Sequence, residues 1–304
     1  MVRHLVGMGD LQPQEVGKII DKAIELKKNK EKYYHELDHK SLIMLFEKTS
    51  TRTRLSFEIG MTQLGGHAVN FTGSQLSAGK EDIADTARTM AAYSDIVMAR
   101  VFKHQTVADL AKYSKVPVIN ALSDLEHPCQ ALADIQTVKE LKGWKNVKVA
   151  YVGDGNNVCN SLMLACAMAG INFSAGTPKK YEPNRELVKK AGEYAKMSGA
   201  KVQLFNSASE AVKDADVVYT DVWISMGEEH LKEQKMKEFG EFQVNAKLMQ
   251  NAKPDAIFMH CLPANKGYEV TADVIESKQS VVFQQAENRM HAQKALMLFL
   301  LGKF

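Results

Sequence analysis

Short apolar stretches alternate with longer segments in which apolar residues recur every three or four positions along nearly the whole chain. Stretches of the first kind are typical of buried strands, and segments of the second kind of amphipathic helices. The predicted strands cover residues 41–46, 68–71, 95–101, 116–121, 147–152, 171–175, 202–205, 216–220 and 256–259. The clearest predicted helices cover residues 82–93, 106–113, 130–141 and 286–301. Because short strands that alternate with helices form parallel sheets through right-handed crossovers, the pattern predicts an α/β protein.

The strands fall into two series, which predict two doubly wound parallel-sheet domains of similar size with helices on both faces. A polar break that contains a glycine, at residues 142–146, separates the two series. Breaks of this kind mark loops between elements. We therefore expect one domain over residues 1–142 and a second over residues 143–285.

The composition is that of an ordinary globular protein of 304 residues, with 45% hydrophobic and 25% charged residues. A net charge of +3, without a run of five like charges, argues against a nucleic-acid partner. The longest apolar run near the end is far shorter than the roughly 20 residues of a membrane span. The first ten residues lack the apolar stretch of a secretory signal. These observations predict a cytoplasmic protein with no membrane partner.

Metal ligation is not indicated by the spacing of potential ligands. The four cysteines, Cys129, Cys159, Cys166 and Cys261, are not closely paired as in zinc sites. Histidines and carboxylates show no ligand spacing either. We therefore predict no metal.

A candidate anion site occurs where the first strand passes into a helix, at Ser50-Thr51-Arg52-Thr53-Arg54. The backbone N–H groups of a helix start attract anions, and arginine adds forked, permanently charged donors. Ser50 can also cap the helix. A capped helix start with two surface arginines is the simpler interpretation. The absence of a neighbouring acidic residue favours a phosphate site.

A second motif suggests a different class of enzyme. Gly153-Asp154-Gly155 follows the strand at residues 147–152, as in the opening of a dinucleotide-binding turn. However, Val158 stands where a third glycine would be, and no acidic residue ends the next strand at residues 175–177. A tight turn explains both glycines without a nucleotide. An NAD-dependent dehydrogenase is therefore kept only as the weaker alternative.

Three further segments complete a family pattern. With residues 50–54, His127-Pro128-Cys129-Gln130 and His260-Cys261-Leu262-Pro263 resemble the signature motifs of the aspartate/ornithine carbamoyltransferase family. Asp221-Val222-Trp223-Ile224-Ser225-Met226-Gly227 resembles the stretch with which the ornithine-specific members hold the amino-acid end of their substrate. The four motifs occur in the order of the family, and the resemblance covers essentially the whole chain.

The resemblance implies transfer of a carbamoyl group from carbamoyl phosphate to the δ-amine of L-ornithine, which gives L-citrulline and phosphate without a cofactor. A carbamoyltransferase for another amine, such as putrescine, remains an alternative. The resemblance to the family further implies that residues 1–142 bind carbamoyl phosphate, that residues 286–304 return to this domain, and that residues 143–285 bind ornithine. A homotrimer or an assembly of trimers is expected.

The resemblance also assigns site residues. Those expected to bind carbamoyl phosphate are Ser50, Thr51, Arg52, Thr53, Gln75, Arg100, His127, Gln130, Cys261, Leu262 and Arg289. Those expected to bind ornithine are Asn157, Asp221, Ser225 and Met226. Four of these residues are expected to be catalytic. Thr53, Arg100 and His127 are expected to donate hydrogen bonds to the developing oxyanion. Cys261 is expected to lie beside the attacking amine. The loop that carries Gln75 reaches a neighbouring subunit in related enzymes.

Overall fold

The computed structural model describes residues 2–72, 81–224 and 228–304. The chain forms two compact units, one made of Met1–Gln136 and Glu287–Phe304 and the other of Thr137–Ala286. None of the helices in these described ranges combines the length and the apolar character needed to cross a bilayer.

The first unit contains a four-stranded parallel sheet. Its strands are β1 (Ser41–Phe46), β2 (His67–Thr72), β3 (Ile96–Arg100) and β4 (Val118–Leu122), in the spatial order β2-β1-β3-β4. The helices that precede, separate and follow them are α1 (Pro13–Lys28), α2 (Thr51–Thr62), α3 (Ile83–Tyr93), α4 (His104–Tyr113) and α5 (Pro128–Lys142). Every residue of β3 is buried, as expected for a central strand that is covered on both faces.

The second unit contains a five-stranded parallel sheet. Its strands are β5 (Lys148–Val152), β6 (Asn172–Gly176), β7 (Val202–Phe205), β8 (Val217–Thr220) and β9 (Ile257–His260), in the spatial order β7-β6-β5-β8-β9. Its helices are α6 (Asn157–Ala169), α7 (Arg185–Ser198), α8 (Ala208–Val212), α9 (Lys232–Glu238), α10 (Ala246–Met249) and α11 (Ala272–Ile275). The last helix, α12 (Val282–Leu300), begins in this unit and ends in the first.

Each sheet has one point where the order of the strands reverses. In the first sheet this point lies between β1 and β3, whose final residues Phe46 and Arg100 are register partners. In the second it lies between β5 and β8, whose final residues Val152 and Thr220 are paired in the same way. Ligands of open α/β sheets bind beyond the carboxyl ends of the strands at such points. The loops that follow these four strands are therefore the first places to look for a site.

The predicted α/β class, with two parallel sheets surrounded by helices, is confirmed. Among the helices with predicted bounds, the largest difference concerns α12, which begins at Val282 and not at residue 286. Its first turn carries Gln284 and Gln285, which do not look like core residues in the sequence. Both amides are hydrogen bonded, Gln284 to Glu140 over 2.9 Å and Gln285 to Tyr219 over 3.2 Å. These partners are distant in the sequence, and they provide the hydrogen bonds that the two amide side chains need at the start of the helix.

Candidate active site

The start of α2 presents backbone and side-chain donors at the carboxyl end of β1. Ser50 is the N-cap, and its Oγ accepts a hydrogen bond from Thr53 N over 3.3 Å and donates to Thr53 Oγ1 over 3.0 Å. The first turn contains no acidic residue. Thr51 is exposed and Arg52 is half-buried. A helix start with this composition attracts anions through its N–H groups and its dipole.

Arg289 joins this helix start from α12. It is buried, and its Nη1 donates to Gln130 Oε1 over 2.7 Å while its Nη2 contacts Thr53 Oγ1 over 3.4 Å. Gln130 Nε2 donates in turn to Asp134 Oδ1 over 2.8 Å. Residues from three helices, α2, α5 and α12, therefore converge on one guanidinium group.

Arg100 and His127 add a further cation and an imidazole to this part of the first unit. Arg100 ends β3 and His127 immediately precedes α5, and both side chains are buried. Burial and the positive charges of Arg289, Arg100 and Lys48 hold the pKa of His127 well below its ordinary value of 6.5. The imidazole is therefore neutral near pH 7, and it can donate one N–H hydrogen bond without adding charge.

In the second unit, Asp221 occupies the position directly after β8. Its Oδ2 accepts from Asn156 Nδ2 over 2.9 Å, and its Oδ1 accepts from the Cys261 thiol over 2.9 Å. Asn156 is also the N-cap of α6, where its Oδ1 accepts from Val158 N over 3.0 Å. The carboxylate is therefore oriented by the ends of two other strands, β5 through Asn156 and β9 through Cys261.

The turn after β9 is fixed by a buried histidine. His260 Nδ1 accepts from Leu262 N over 2.9 Å, and His260 Nε2 contacts Glu269 Oε1 over 3.2 Å. Leu262 has a φ of 59° and is followed by a cis peptide bond to Pro263. The left-handed conformation of a non-glycine residue is uncommon. Here the side chain of His260 holds it in place.

Among the described residues, one group of three potential metal ligands occurs, made of Asp221, His260 and Cys261, with ligand atoms within 4.8 Å of one another. The hydrogen bond between Cys261 and Asp221 accounts for the approach of these two side chains. Both ring nitrogens of His260 are engaged by Leu262 N and Glu269. A metal ion at this place would have to replace one of these bonds.

The two glycines after β5 have a structural explanation. Gly153 has a φ of 133°, which L side chains rarely adopt. A Cβ atom on Gly155 would lie 2.4 Å from Pro183 N and 2.5 Å from the carbonyl carbon of Glu182. These constraints require glycine without any nucleotide, as the tight-turn interpretation expects.

The structure brings the predicted residues together in two groups, one in each unit. Hydrogen bonds connect four residues of the first group: Ser50, Thr53, Gln130 and Arg289. In the second group Asp221 and Cys261 are bonded directly, Asn157 follows the N-cap Asn156, and Leu262 follows Cys261. The predicted residues Gln75, Ser225 and Met226 lie outside the described residues.

Sequence reasoning missed Asn156, His260 and Glu269. The position of Asn156 before an apolar helix is an N-cap signal, and it would have identified the capping role. His260 belongs to a motif that was recognised, but its contacts with Leu262 and Glu269 depend on the fold of the turn. No local signal in the sequence points to them.

Chemically, the two groups differ in charge. The group in the first unit offers guanidinium, hydroxyl, amide and neutral imidazole donors, which suit an anion and a developing oxyanion. The group in the second unit offers a carboxylate and a thiol, which suit an ammonium ion.

Two domain families of known proteins match the chain. The family model for the aspartate/ornithine carbamoyltransferase, carbamoyl-P binding domain matches residues 3–140. The family model for the Asp/Orn binding domain of the same enzymes matches residues 145–300.

Individual relatives match over nearly their full length. The chain is 52% identical to the ornithine carbamoyltransferase of Methanocaldococcus jannaschii, with 98% of each chain covered, and 51% identical to that of Archaeoglobus fulgidus, with 99% of this chain and 98% of the other covered. The solved structure of ornithine carbamoyltransferase from Pyrococcus furiosus aligns with a TM-score of 0.95 at 51% identity, covering 99% of this chain and 98% of that one. The resemblance found in the sequence motifs is thus confirmed, and the chain belongs to the aspartate/ornithine carbamoyltransferase family.

Proposed function

We propose that this enzyme transfers the carbamoyl group of carbamoyl phosphate to the δ-amine of L-ornithine and releases L-citrulline and phosphate. Residues 1–142 with 286–304 would bind carbamoyl phosphate, and residues 143–285 would bind ornithine. The observation that supports binding of carbamoyl phosphate is the convergence of Thr53, Gln130 and Arg289 at a helix start whose first turn has no acidic residue. The names of the relatives support the choice of ornithine.

The phosphate of the donor would bind to residues at the start of α2 and to Arg289. Ser50, Thr51, Arg52 and Thr53 supply N–H, hydroxyl and guanidinium donors in consecutive positions. Gln130 already orients Arg289 through the 2.7 Å hydrogen bond. A guanidinium group held in this way loses little side-chain entropy when an anion binds.

The attack of the amine on the carbonyl carbon forms a tetrahedral intermediate whose oxygen carries negative charge. Thr53, Arg100 and His127 would donate hydrogen bonds to this oxygen, and one such donor contributes roughly 3–4 kcal/mol in acyl-transfer enzymes. The C–O bond to phosphate then breaks, and the leaving phosphate accepts the proton of the amine. His127 acts as a donor and not as the base, because burial and the neighbouring positive charges lower its pKa and so disfavour its taking up a proton.

The amino-acid substrate would be oriented by residues of the second unit. Asp221 would pair with the α-ammonium group, because a carboxylate has about four acceptor positions and two donors of the described ranges, Asn156 and Cys261, are bound to it. Asn157 would contact the α-carboxylate. The Cys261 thiol and the Leu262 carbonyl would lie beside the δ-amine. In water this amine has a pKa of about 10, like that of lysine, so it must lose a proton before it attacks.

The test is a carbamoylation assay with purified protein, carbamoyl phosphate and four amines: ornithine, putrescine, aspartate and N-acetylornithine. Ornithine should give by far the highest kcat/KM, because only ornithine offers a free α-ammonium group for Asp221, an α-carboxylate and a δ-amine. An Asp221→Asn variant should lose affinity for ornithine while its activity with putrescine changes little. A kcat/KM for putrescine comparable with that for ornithine would contradict the assignment.

We also propose that the enzyme is a homotrimer or an assembly of trimers, in the cytoplasm as its sequence predicts. Apolar surface in the first unit supports self-association. On α2, Leu55 is 48% and Ile59 is 45% exposed, and on the edge strand β2, Val69 is 45% exposed. Leu55 and Ile59 are four positions apart and therefore lie on one face of α2, and an exposed apolar face is typical of a protein contact surface.

A further inference from the structure

A buried lysine binds two carboxylates in the second unit. Lys235 lies on α9, its side chain is 1% exposed, and its Nζ donates to Asp154 Oδ2 and to Glu228 Oε2 over 2.6 Å each. The ring of Tyr181 lies beside the ammonium group, with its centroid 5.2 Å from Nζ. Burial of an ammonium ion is unfavourable unless it is paired, and here both partners are anionic.

Both carboxylates belong to segments that flank the proposed ornithine residues. Asp154 lies in the turn between β5 and α6, and its backbone oxygen accepts from Asn156 N over 2.7 Å. Asn156 in turn donates to Asp221 over 2.9 Å. Glu228 directly follows residues 225–227 in the sequence. One ammonium group therefore fixes the turn on which the orientation of Asp221 depends.

The charges in this region support a role beyond simple packing. Burial raises the pKa of Asp154 to about 6, Lys235 opposes this rise, and the charges of Glu228 and Asp221 add to it. The charges of two neighbouring carboxylates thus act on Asp154, which is paired with the buried ammonium group of Lys235. Without that cation, their repulsion would move the side chains apart or force a proton onto one of them.

We propose that Lys235 is a positioning residue for the amino-acid substrate. It holds the turn between β5 and α6, and through Asn156 the carboxylate of Asp221, in the orientation that receives the α-ammonium group of ornithine. Lys235 itself does not contact the substrate. This inference rests on the proposed function, because it concerns the same substrate.

The experiment compares steady-state kinetics of the wild type, Lys235→Met and Lys235→Arg, with each substrate varied in turn. Lys235→Met should raise the KM for ornithine roughly tenfold or more, since small displacements of orienting groups have effects of this size. Its KM for carbamoyl phosphate should stay within about twofold of the wild type. Lys235→Arg should recover most of the loss, because it keeps a cation with several donors.

Lys253→Met is the matched control. Lys253 also forms a 2.6 Å ion pair with a buried aspartate, Asp216, in the same unit, and this pair is separate from the bonds that connect Lys235, Asp154, Asn156 and Asp221. The Lys253→Met variant should leave the KM for ornithine and the KM for carbamoyl phosphate unchanged. A folded Lys235→Met enzyme with an unchanged KM for ornithine would overturn the proposal, and so would an equal rise in both KM values, which indicates a general loss of structure.

If Lys235→Met does not fold, Asp154→Asn decides the question. It keeps the shape of the side chain but removes the charge by which Lys235 holds the turn between β5 and α6. It should raise the KM for ornithine roughly threefold with an unchanged KM for carbamoyl phosphate, and no rise would overturn the proposal. The activity of the wild type with ornithine is measured first. If the wild type does not carbamoylate ornithine, the proposed function is wrong, and this result is distinct from any effect of the variants.

Discussion

Arg289 Nη1 donates to Gln130 Oε1 over 2.7 Å, although 159 positions separate the two residues in the sequence. The amide of Gln130 is itself oriented by a hydrogen bond to Asp134. The guanidinium group is therefore held in one orientation before any anion binds. Preorganisation of this kind lowers the entropic cost of binding.

Arg52 and Arg54 allow a direct test of the phosphate site. Arg54 is paired with Glu58 over 3.0 Å, whereas Arg52 is half-buried in the first turn of α2. Arg52→Ala should weaken carbamoyl phosphate binding roughly 10- to 100-fold, because a hydrogen bond to a charged group contributes about 1.5–3 kcal/mol. Calorimetric titration measures the affinity. Arg54→Ala is the control and should change it little. A change within about threefold for Arg52→Ala would exclude a phosphate contact.

The lowered pKa of His127 predicts how acid affects stability. The unfolded chain takes up a proton on this residue near pH 6.5, whereas the folded protein does so only at a much lower pH. Below about pH 6.5 the unfolded state therefore binds more protons, and the free energy of unfolding decreases as the pH falls. Urea unfolding at pH 7 and pH 5 should show a smaller decrease for His127→Gln than for the wild type.

A matched control for this measurement is His67→Gln, because His67 is exposed on the edge strand β2. The free energy of unfolding of this control variant should decrease between pH 7 and pH 5 by the same amount as that of the wild type. If His127→Gln and the wild type lost the same free energy, the imidazole of His127 would not be held neutral by its surroundings.

The proposed trimer predicts a change of mass in one surface variant. Light scattering should give the wild type a mass of three chains or a multiple of three. Leu55→Glu places a charge on the apolar face of α2 and should shift the protein toward single chains, because an unpaired charge in an interface is costly to desolvate. Met197→Glu, at a residue of the second unit that is 72% exposed, is the control and should leave the mass unchanged. A monomeric wild type would contradict the proposal.

The alternation of strands and helices was readable from the sequence because both sheets are parallel and their central strands are buried. β1 is apolar after Ser41 and β7 is apolar except for Gln203, and their predicted bounds, residues 41–46 and 202–205, match those observed. The start of α12 was not readable, since Gln284 and Gln285 gain their partners only in the folded protein. The spacing of apolar residues along the sequence indicates which of them are buried. It does not indicate whether a buried amide side chain finds a hydrogen-bond partner.

The candidate site shows the same limit. Ser50 to Thr53 could be identified from residue types in consecutive positions, because a strand-to-helix junction is a local feature. The contact between Cys261 and Asp221 joins residues 40 positions apart, and the role of Lys235 depends on partners in two loops. Long-range contacts of this kind follow from the strand order, which no single segment of sequence contains.

The first unit is discontinuous in the sequence, and this affects how it can be completed during synthesis. Its segments Met1–Gln136 and Glu287–Phe304 are separated by the 150 residues of Thr137–Ala286. At about 5–20 residues per second, the ribosome needs roughly 8–30 s to make the intervening part. Until then the growing chain lacks Arg289 and the buried apolar residues that follow it in the last helix: Ala292, Ala295, Leu296, Met297, Leu298 and Leu300. A chain that terminates early, even by about twenty residues, would therefore leave the ribosome with an open core and no guanidinium group at Gln130.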